Sequence, residues 1–336
     1  MLEELRKLPK AELHLHIEGT LEPELLFTLA KRNNILLPYK NIDEVKDKYQ
    51  FQDLQSFLDI YYNGTNVLIT KQDFYDLTYA YLTKANQDGI RHVEIFFDPQ
   101  SHVSRGVEFK DVIEGINNAL EQGKKEFGIS YFIIMCFLRH LSQENALEVL
   151  QMALPYKDKI KAVGLDSSEL GHPPSKFTEL FNKSRENNFL TVAHAGEEGP
   201  ASYIWEALNL LQIERIDHGV RCTEDPELLK TIIQKNIPLT VCPLSNVKLK
   251  VYQDMKEHNI KKLFDLGVKV TINSDDPAYF GGYLLENYIQ CQNELGFTYN
   301  DLCDISKNSI EASFLSNSEK IKLINEIDNL KQKINI

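Results

Sequence analysis

Histidine and acidic residues recur at the ends of apolar segments in this sequence, in a pattern that suits metal-assisted hydrolysis. His14 and His16 flank one leucine near the start of the chain, while His194 and Asp275 each lie at the end of a later apolar segment. Because successive side chains of a strand alternate between its two faces, His14 and His16 point to the same side. Two imidazoles placed in this way reach a single ion. A third imidazole and a carboxylate oxygen complete a ligand set that suits zinc.

Two further residues beside this set have the chemistry of a general acid or base. Glu197 follows His194 by three residues, close enough to work beside an ion without binding it. His218 lies between Asp217 and Gly219. It is either a structural histidine held by Asp217 or a group that orients the attacking oxygen and stabilises charge.

Two adjacent carboxylates, Asp275 and Asp276, diverge if the backbone between them is extended. One is then free to bind the ion while the other reaches a substrate. The alternative for Asp276 is the N-cap of a helix that begins at Pro277. An ion held by three histidines and one aspartate has room for a water, whose pKa it lowers toward ~7.

Eight short segments, mostly apolar, have the composition of buried parallel strands. They cover residues 11–18, 92–99, 130–139, 162–169, 190–197, 215–221, 238–244 and 268–275. Helical patterns lie between them, at 111–127, 142–154, 226–234 and 255–266. This alternation predicts an α/β protein with the TIM (β/α)8 barrel fold. The acidic and histidine residues above then fall at the carboxyl ends of the first, fifth, sixth and eighth strands, which face the active site in such barrels.

Residues 21–86 are too many for one crossover helix, so we expect extra helices inserted after the first strand, over the barrel mouth. Phe57, Leu58, Tyr61 and Tyr62 have helical spacing there. They either pack in the core or form a hydrophobic lid over a flat ring. From residue 283 the pattern is helical to the end, and no linker or repeat interrupts it. The sequence therefore predicts a single catalytic domain, 1–336.

The composition limits the classes of partner. A net charge of -12 disfavours a nucleic-acid partner and favours a small substrate. The five cysteines form no C-x-x-C pair, which is typical of buried free thiols in a reducing compartment. No apolar segment approaches the ~20 residues that span a bilayer, and the N-terminus lacks a signal-like apolar region. We expect a cytoplasmic protein without a membrane partner, and the oligomeric state stays open.

Four segments carry a family resemblance: AELHLHIEG at 11–19, TVAHAGE at 191–197, RIDHG at 215–219 and INSDDP at 272–277. In this order they resemble the adenosine/adenine deaminase family, whose members are metal-dependent hydrolases with a barrel fold. The resemblance covers nearly the whole chain. It implies that zinc is bound by His14, His16, His194 and Asp275. It also implies that Glu197 is the proton donor, that His218 is the catalytic histidine and that Asp276 contacts the purine.

The number of ions follows from the fourth predicted strand. Two-metal relatives of such barrels carry a bridging lysine late in that strand, whereas residues 163–169 here read VGLDSSE. The sequence therefore predicts one Zn²⁺ per chain. The same ligands accept iron or manganese, and metal availability decides between these ions.

The substrate expected from the resemblance is the free base adenine. The chain has Glu18 where adenosine deaminases carry aspartate, and DSSELGHPP at 166–174 resembles the adenine deaminases. We expect hydrolysis of adenine to hypoxanthine and ammonia in purine salvage, with Glu18 and the turn at Glu169 filling the space that a ribose would occupy. A raised pKa is expected for Asp276 because other carboxylates lie nearby. The alternatives are adenosine, an N6-substituted adenine, a cyclic amide, or purine sensing without catalysis.

Overall fold

Eight parallel strands form the centre of the computed structural model, which describes residues 2–334. The strands are β1 (Lys10–Glu12), β2 (Ile90–Phe97), β3 (Ser130–Leu138), β4 (Ile160–Asp166), β5 (Leu190–Ala195), β6 (Arg215–His218), β7 (Leu239–Val241) and β8 (Val270–Ile272). Each strand pairs with the next one in sequence, so the order in the sheet is β1 to β8. A parallel bridge between Leu15 and Asp275 joins the segments that follow β1 and β8. The sheet is therefore a nearly closed barrel, and the predicted fold is confirmed.

Helices lie between the strands. The first are α1 (Leu2–Lys7), α2 (Pro23–Arg32), α3 (Ile42–Asp47), α4 (Leu54–Gly64), α5 (Lys71–Gln87), α6 (Pro99–Val103), α7 (Phe109–Phe127), α8 (Gln143–Ala153) and α9 (Thr178–Glu186). The others are α10 (Ala201–Glu206), α11 (Pro226–Gln234), α12 (Pro243–Lys248), α13 (Ile260–Asp265), α14 (Pro277–Phe280), α15 (Leu284–Leu295), α16 (Tyr299–Ala312) and α17 (Asn317–Ile334). Among residues 2–334, no helix is both long and apolar enough to cross a membrane.

Most of the predicted strands are shorter than expected, chiefly at their carboxyl ends. The first ends at Glu12 instead of residue 18, because the N–H of Leu13 bonds to the side-chain oxygen of Asn273 and not to a neighbouring strand. The sixth ends at His218, where the backbone turns to positive φ (63° there and 70° at Gly219). These interruptions lie where the barrel presents its polar side chains.

The helices inserted after β1 are confirmed as α2, α3 and α4, which precede the crossover helix α5. Helix α4 packs its inner face on the chain that follows β8. Phe57, for example, contacts the rings of Tyr279 and Phe280, at centroid distances of 5.4 and 4.6 Å. Helices α15 to α17 confirm the predicted helical C-terminus as far as residue 334. The last two residues of that prediction lie outside the described part of the chain.

Candidate active site

The four residues predicted to bind a metal meet at the carboxyl ends of the strands. His14 Nε2 lies 3.2 Å from Asp275 Oδ1, and His16 Nε2 lies 3.5 Å from the same oxygen. The Nε2 atoms of His16 and His194 are 3.2 Å apart. In a tetrahedral zinc site with bonds of about 2.0–2.1 Å, neighbouring ligand atoms are about 3.3 Å apart. The three measured separations fit one ion held between these side chains.

The protonation state of His14 also fits a ligand. Its Nδ1 lies 2.9 Å from the hydroxyl of Thr240, and that hydroxyl donates its hydrogen to Asp217 at 2.7 Å. Thr240 can therefore only accept from His14, which places the imidazole proton on Nδ1. The lone pair of His14 Nε2 then points toward Asp275, as metal binding requires.

Three buried side chains support the other two imidazoles. Asp166 Oδ2 lies 3.4 Å from the Nδ1 of His16. Asp217 Oδ2 lies 3.9 Å from the Nδ1 of His194, whose backbone oxygen accepts a hydrogen bond from Arg139 at 2.7 Å. Carboxylates behind metal-binding histidines fix the orientation of the rings. Asp217 faces the ligands and does not hold His218, so the structural alternative for His218 is wrong.

His218 and Glu197 lie directly beside the four predicted ligands. His218 Nε2 is 3.5 Å from Glu197 Oε2 and 3.7 Å from Asp275 Oδ2. Two overlapping groups of candidate ligand atoms share Asp275: one adds His14, His194 and His218, and the other adds His16 and Asp276. The structure thus brings all seven predicted site residues together around one point.

The acid–base properties of the site follow from its burial. Burial raises the pKa of Glu197 well above its usual range, and the charge of Asp275 raises it further. Burial and the same charge also raise the pKa of Asp276, as expected from the sequence. Burial and the nearby His14 lower the pKa of His218 to about 3. These shifts favour the protonated forms of Glu197 and Asp276 and the neutral form of His218.

Asp276 occupies the N-cap position of α14, but its side chain makes no capping hydrogen bond. Its Oδ1 atom is buried and has no hydrogen-bond partner among the described residues. The predicted N-cap position is therefore confirmed, but the side chain does not cap the helix. An unpaired carboxyl oxygen at this place is free for a ligand.

A pocket opens above these residues, with about 370 Å³ of space that includes its mouth. One wall is apolar and belongs mainly to the inserted helix α4. It consists of Leu54, Phe57, Leu58, Tyr61 and Tyr62, together with Leu249. Three of the four candidate metal ligands, His16, His194 and Asp275, also line the pocket, as do Glu197, His218 and Asp276. The α4 residues thus pack in the core and also line the pocket with apolar surface.

Asp98, Asp166 and Ser167 also line this pocket, and the sequence analysis assigned no role to them. Asp98 and Ser167 directly follow β2 and β4, and Asp166 is the last residue of β4. Their positions at strand ends were the available signal. All three follow apolar segments, like the residues that were assigned.

Glu169 has a different position from the one expected. Its carboxylate accepts four backbone N–H bonds, from Gly196 (2.7 Å), Glu197 (3.1 Å), Glu198 (2.8 Å) and Gly199 (2.7 Å). The side chain is 1% exposed and faces this loop, not the pocket. Glu169 therefore fixes the loop that presents Glu197.

Glu18, the other residue expected there, is also turned away from the pocket. Its Oε1 accepts from the backbone N–H of Asp98 at 3.0 Å and lies 2.8 Å from His102 Nε2. It supports the segment that carries Asp98. Neither of these two side chains lines the pocket, whereas Asp166 and Ser167, at the start of the turn that carries Glu169, do line it. The exclusion of a ribose by this turn stays a prediction.

Comparison with known proteins gives relatives over nearly the whole chain. The chain is 58% identical over 326 residues to an adenine deaminase of Acinetobacter baylyi, covering 97% of this chain and 98% of that protein. It is 59% identical over 323 residues to an adenine deaminase of Wolinella succinogenes, covering 96% and 98%.

Solved structures agree with these relatives. The crystal structure of an adenine deaminase from Arthrobacter aurescens matches with a TM-score of 0.95 and 49% identity, covering 96% of this chain and 99% of that one. A zinc-bound amidohydrolase from Burkholderia ambifaria matches with a TM-score of 0.90 and 25% identity, covering 99% and 94%. The family profile described as adenosine deaminase matches residues 9–330. The chain belongs to the adenosine deaminase family.

Proposed function

We propose that the protein hydrolyses adenine to hypoxanthine and ammonia. The observation that supports this activity most directly is a pair of buried carboxyl groups, Glu197 and Asp276, whose pKa values are raised. They lie beside the candidate metal ligands in a pocket with an apolar wall. The relatives from Acinetobacter and Wolinella, named as adenine deaminases, support the same substrate. We place the reaction in purine salvage and regard residues 1–336 as one catalytic domain.

In this proposal, one Zn²⁺ per chain is held by His14, His16, His194 and Asp275. The ion supplies an activated water when bound. The ligand separations and the tautomer of His14 support this set, and the zinc of the Burkholderia relative supports the choice of metal.

Glu197 moves the protons of the reaction. Adenine is a poor electrophile at C6 because addition there breaks the conjugation of the ring. Protonated Glu197 donates to N1, which removes much of that cost as the water oxygen adds to C6. Glu197 then takes a proton from that oxygen and passes it to the amino group, which leaves as ammonia when the C6–N bond breaks. The second proton of the water returns to Glu197, so the residue is protonated again when the oxygen has become the carbonyl of hypoxanthine. Adenine and water thus give hypoxanthine and ammonia.

His218 and Asp276 position the reactants. His218 Nε2 faces Glu197 and Asp275, so it can orient the attacking oxygen and stabilise its developing charge. N7 of adenine is an acceptor, so Asp276 binds it only when its carboxyl group carries a proton. The raised pKa of Asp276 provides that proton.

The free base differs from its nucleoside in having an N9–H donor. Asp98 is 2% exposed, lines the pocket, and has a buried oxygen without a hydrogen-bond partner among residues 2–334. We propose that this oxygen accepts a hydrogen bond from the N9–H group of adenine. A purine glycosylated at N9 has no hydrogen there to donate.

The test is ammonia release from adenine, adenosine and deoxyadenosine, and methylamine release from N6-methyladenine, by the zinc-loaded protein. We expect kcat/KM for adenine to exceed that for adenosine by at least about 10²-fold, because a buried acceptor left without its donor is costly. Equal values for adenine and adenosine would contradict the free-base assignment. No ammonia from adenine would contradict the proposed activity.

A further inference from the structure

A chain of hydrogen bonds connects a backbone amide to the imidazole of His218. The N–H of Ile260 donates to His258 Nδ1 at 3.1 Å. His258 Nε2 lies 3.1 Å from the side-chain oxygen of Asn246, and the side-chain nitrogen of Asn246 lies 3.3 Å from His218 Nδ1. The three side chains are buried, with His258 the most exposed at 4%. This chain reaches His218 from the side opposite Glu197.

The series of hydrogen bonds begins at a group that can donate but cannot accept. Ile260 is the first residue of α13, where backbone N–H groups have no acceptor within the helix. Because an amide can only donate, His258 Nδ1 must accept. Burial lowers the pKa of His258 to about 3, so its ring is neutral and carries a single hydrogen, on Nε2.

The rest of the chain follows from that hydrogen. His258 donates from Nε2, so Asn246 must present its oxygen to His258 and its NH₂ group to His218. His218 Nδ1 is then an acceptor, and the hydrogen of this imidazole lies on Nε2. That is the atom 3.5 Å from Glu197 and 3.7 Å from Asp275.

We propose that Asn246 and His258 are positioning residues that hold His218 as its Nε2–H tautomer, so that it presents a donor to the oxygen that attacks C6. The assignment rests on the proposed function for its catalytic consequence, but the tautomer itself is a separate property. Without the hydrogen bonds through Asn246 and His258, the hydrogen of the His218 imidazole is free to move to Nδ1. The ring would then present a lone pair to the attacking oxygen, which stabilises no developing negative charge.

Asn246→Asp tests this assignment with almost no change in shape. A carboxylate only accepts hydrogen bonds, so it favours hydrogen on His218 Nδ1. The readout is long-range ¹H–¹⁵N NMR of the zinc-loaded, ¹⁵N-histidine-labelled protein, in which His218→Gln identifies the His218 signals. We expect His218 to change from Nε2–H to Nδ1–H. We also expect kcat for adenine to fall on the order of 10²-fold, with KM changed less than about threefold and zinc content unchanged.

Two variants of His258 keep the test decisive if Asn246→Asp does not fold. His258→Gln retains an N–H donor for Asn246, whereas His258→Leu removes it. We expect His258→Gln to keep the Nε2–H tautomer and most of kcat, and His258→Leu to lose both. If His218 keeps Nε2–H in Asn246→Asp, or in His258→Leu, the proposal is overturned. A wild-type protein without deaminase activity would refute the proposed function, while the NMR result would still decide the tautomer.

Discussion

The buried carboxylate of Glu169 holds the loop that carries Glu197 in place. The substitution Glu169→Gln tests how much this carboxylate contributes to stability and to activity. Glutamine has the same shape as glutamate but has one acceptor oxygen and no charge. In the wild type, Oε2 accepts three backbone N–H groups and Oε1 accepts that of Gly196. The glutamine oxygen can replace only one of these two atoms, so its NH₂ group must face at least one backbone donor.

The cost follows from these four bonds. A hydrogen bond to a charged acceptor contributes ~1.5–3 kcal/mol and a neutral one ~0.5–1.5 kcal/mol, so each of three retained bonds loses about 1 kcal/mol. The N–H of Gly196, left without an acceptor in a buried site, costs a further ~1–3 kcal/mol. We therefore expect Glu169→Gln to lower the free energy of unfolding by about 4–6 kcal/mol. The looser loop should also lower kcat at least about tenfold, since Glu197 loses its fixed position.

Urea unfolding followed by circular dichroism measures the stability of Glu169→Gln, and loss of adenine absorbance measures kcat. The control is Glu198→Gln in the same loop. The Glu198 side chain accepts one hydrogen bond, from the N–H of Leu54 at 3.1 Å, and glutamine can still accept it. We expect that control to lose less than about 1.5 kcal/mol. If Glu169→Gln stays within about 1 kcal/mol of the wild type in stability and keeps its kcat, the Glu169 carboxylate does not fix the loop that carries Glu197.

Three further changes test other parts of the structure. Glu197→Gln should keep its bound metal and lose at least about 10³-fold in kcat, because glutamine cannot carry the proton; unchanged turnover would refute the role of Glu197. His16→Ala should bind less metal by elemental analysis, and a full equivalent in the purified variant would remove His16 from the ligand set. Burial opposes ionisation of Glu94, but the ion pair with Arg215 holds the pKa of Glu94 at about 2. The contribution of this ion pair to stability is therefore complete above pH ~4.5 and is lost as the pH falls toward 2. Glu94→Gln should therefore be about 3–5 kcal/mol less stable than the wild type at pH 7, and the difference in urea unfolding should shrink toward pH 2; a constant difference would contradict the lowered pKa.

The barrel could be predicted from the sequence because its strands are short apolar segments separated by helical patterns. The same pattern predicted where His14, His194 and Asp275 would meet, since the carboxyl ends of parallel strands lie at one end of a barrel. The strand ends were less predictable. The positive φ at His218 and the bond between Leu13 and Asn273 depend on tertiary contacts that no local pattern shows.

The sequence could not show which residues form hydrogen bonds with the site residues. Glu169 bonds to a loop 27 to 30 residues away, and His258 bonds to Asn246, which in turn bonds to His218. Both arrangements combine segments distant in sequence. The position of Glu169 has the same origin: it lies three residues beyond the end of β4, and the direction of its side chain depends on the amides around it.

Titration of metal-free protein with Zn²⁺ while ammonia release from adenine is recorded is the most direct test of the proposed centre. The geometry of His14, His16, His194 and Asp275 predicts that the rate rises in proportion to added zinc and stops rising at one equivalent per chain. A plateau only at two equivalents, or zinc-saturated protein that releases no ammonia from adenine, would contradict it.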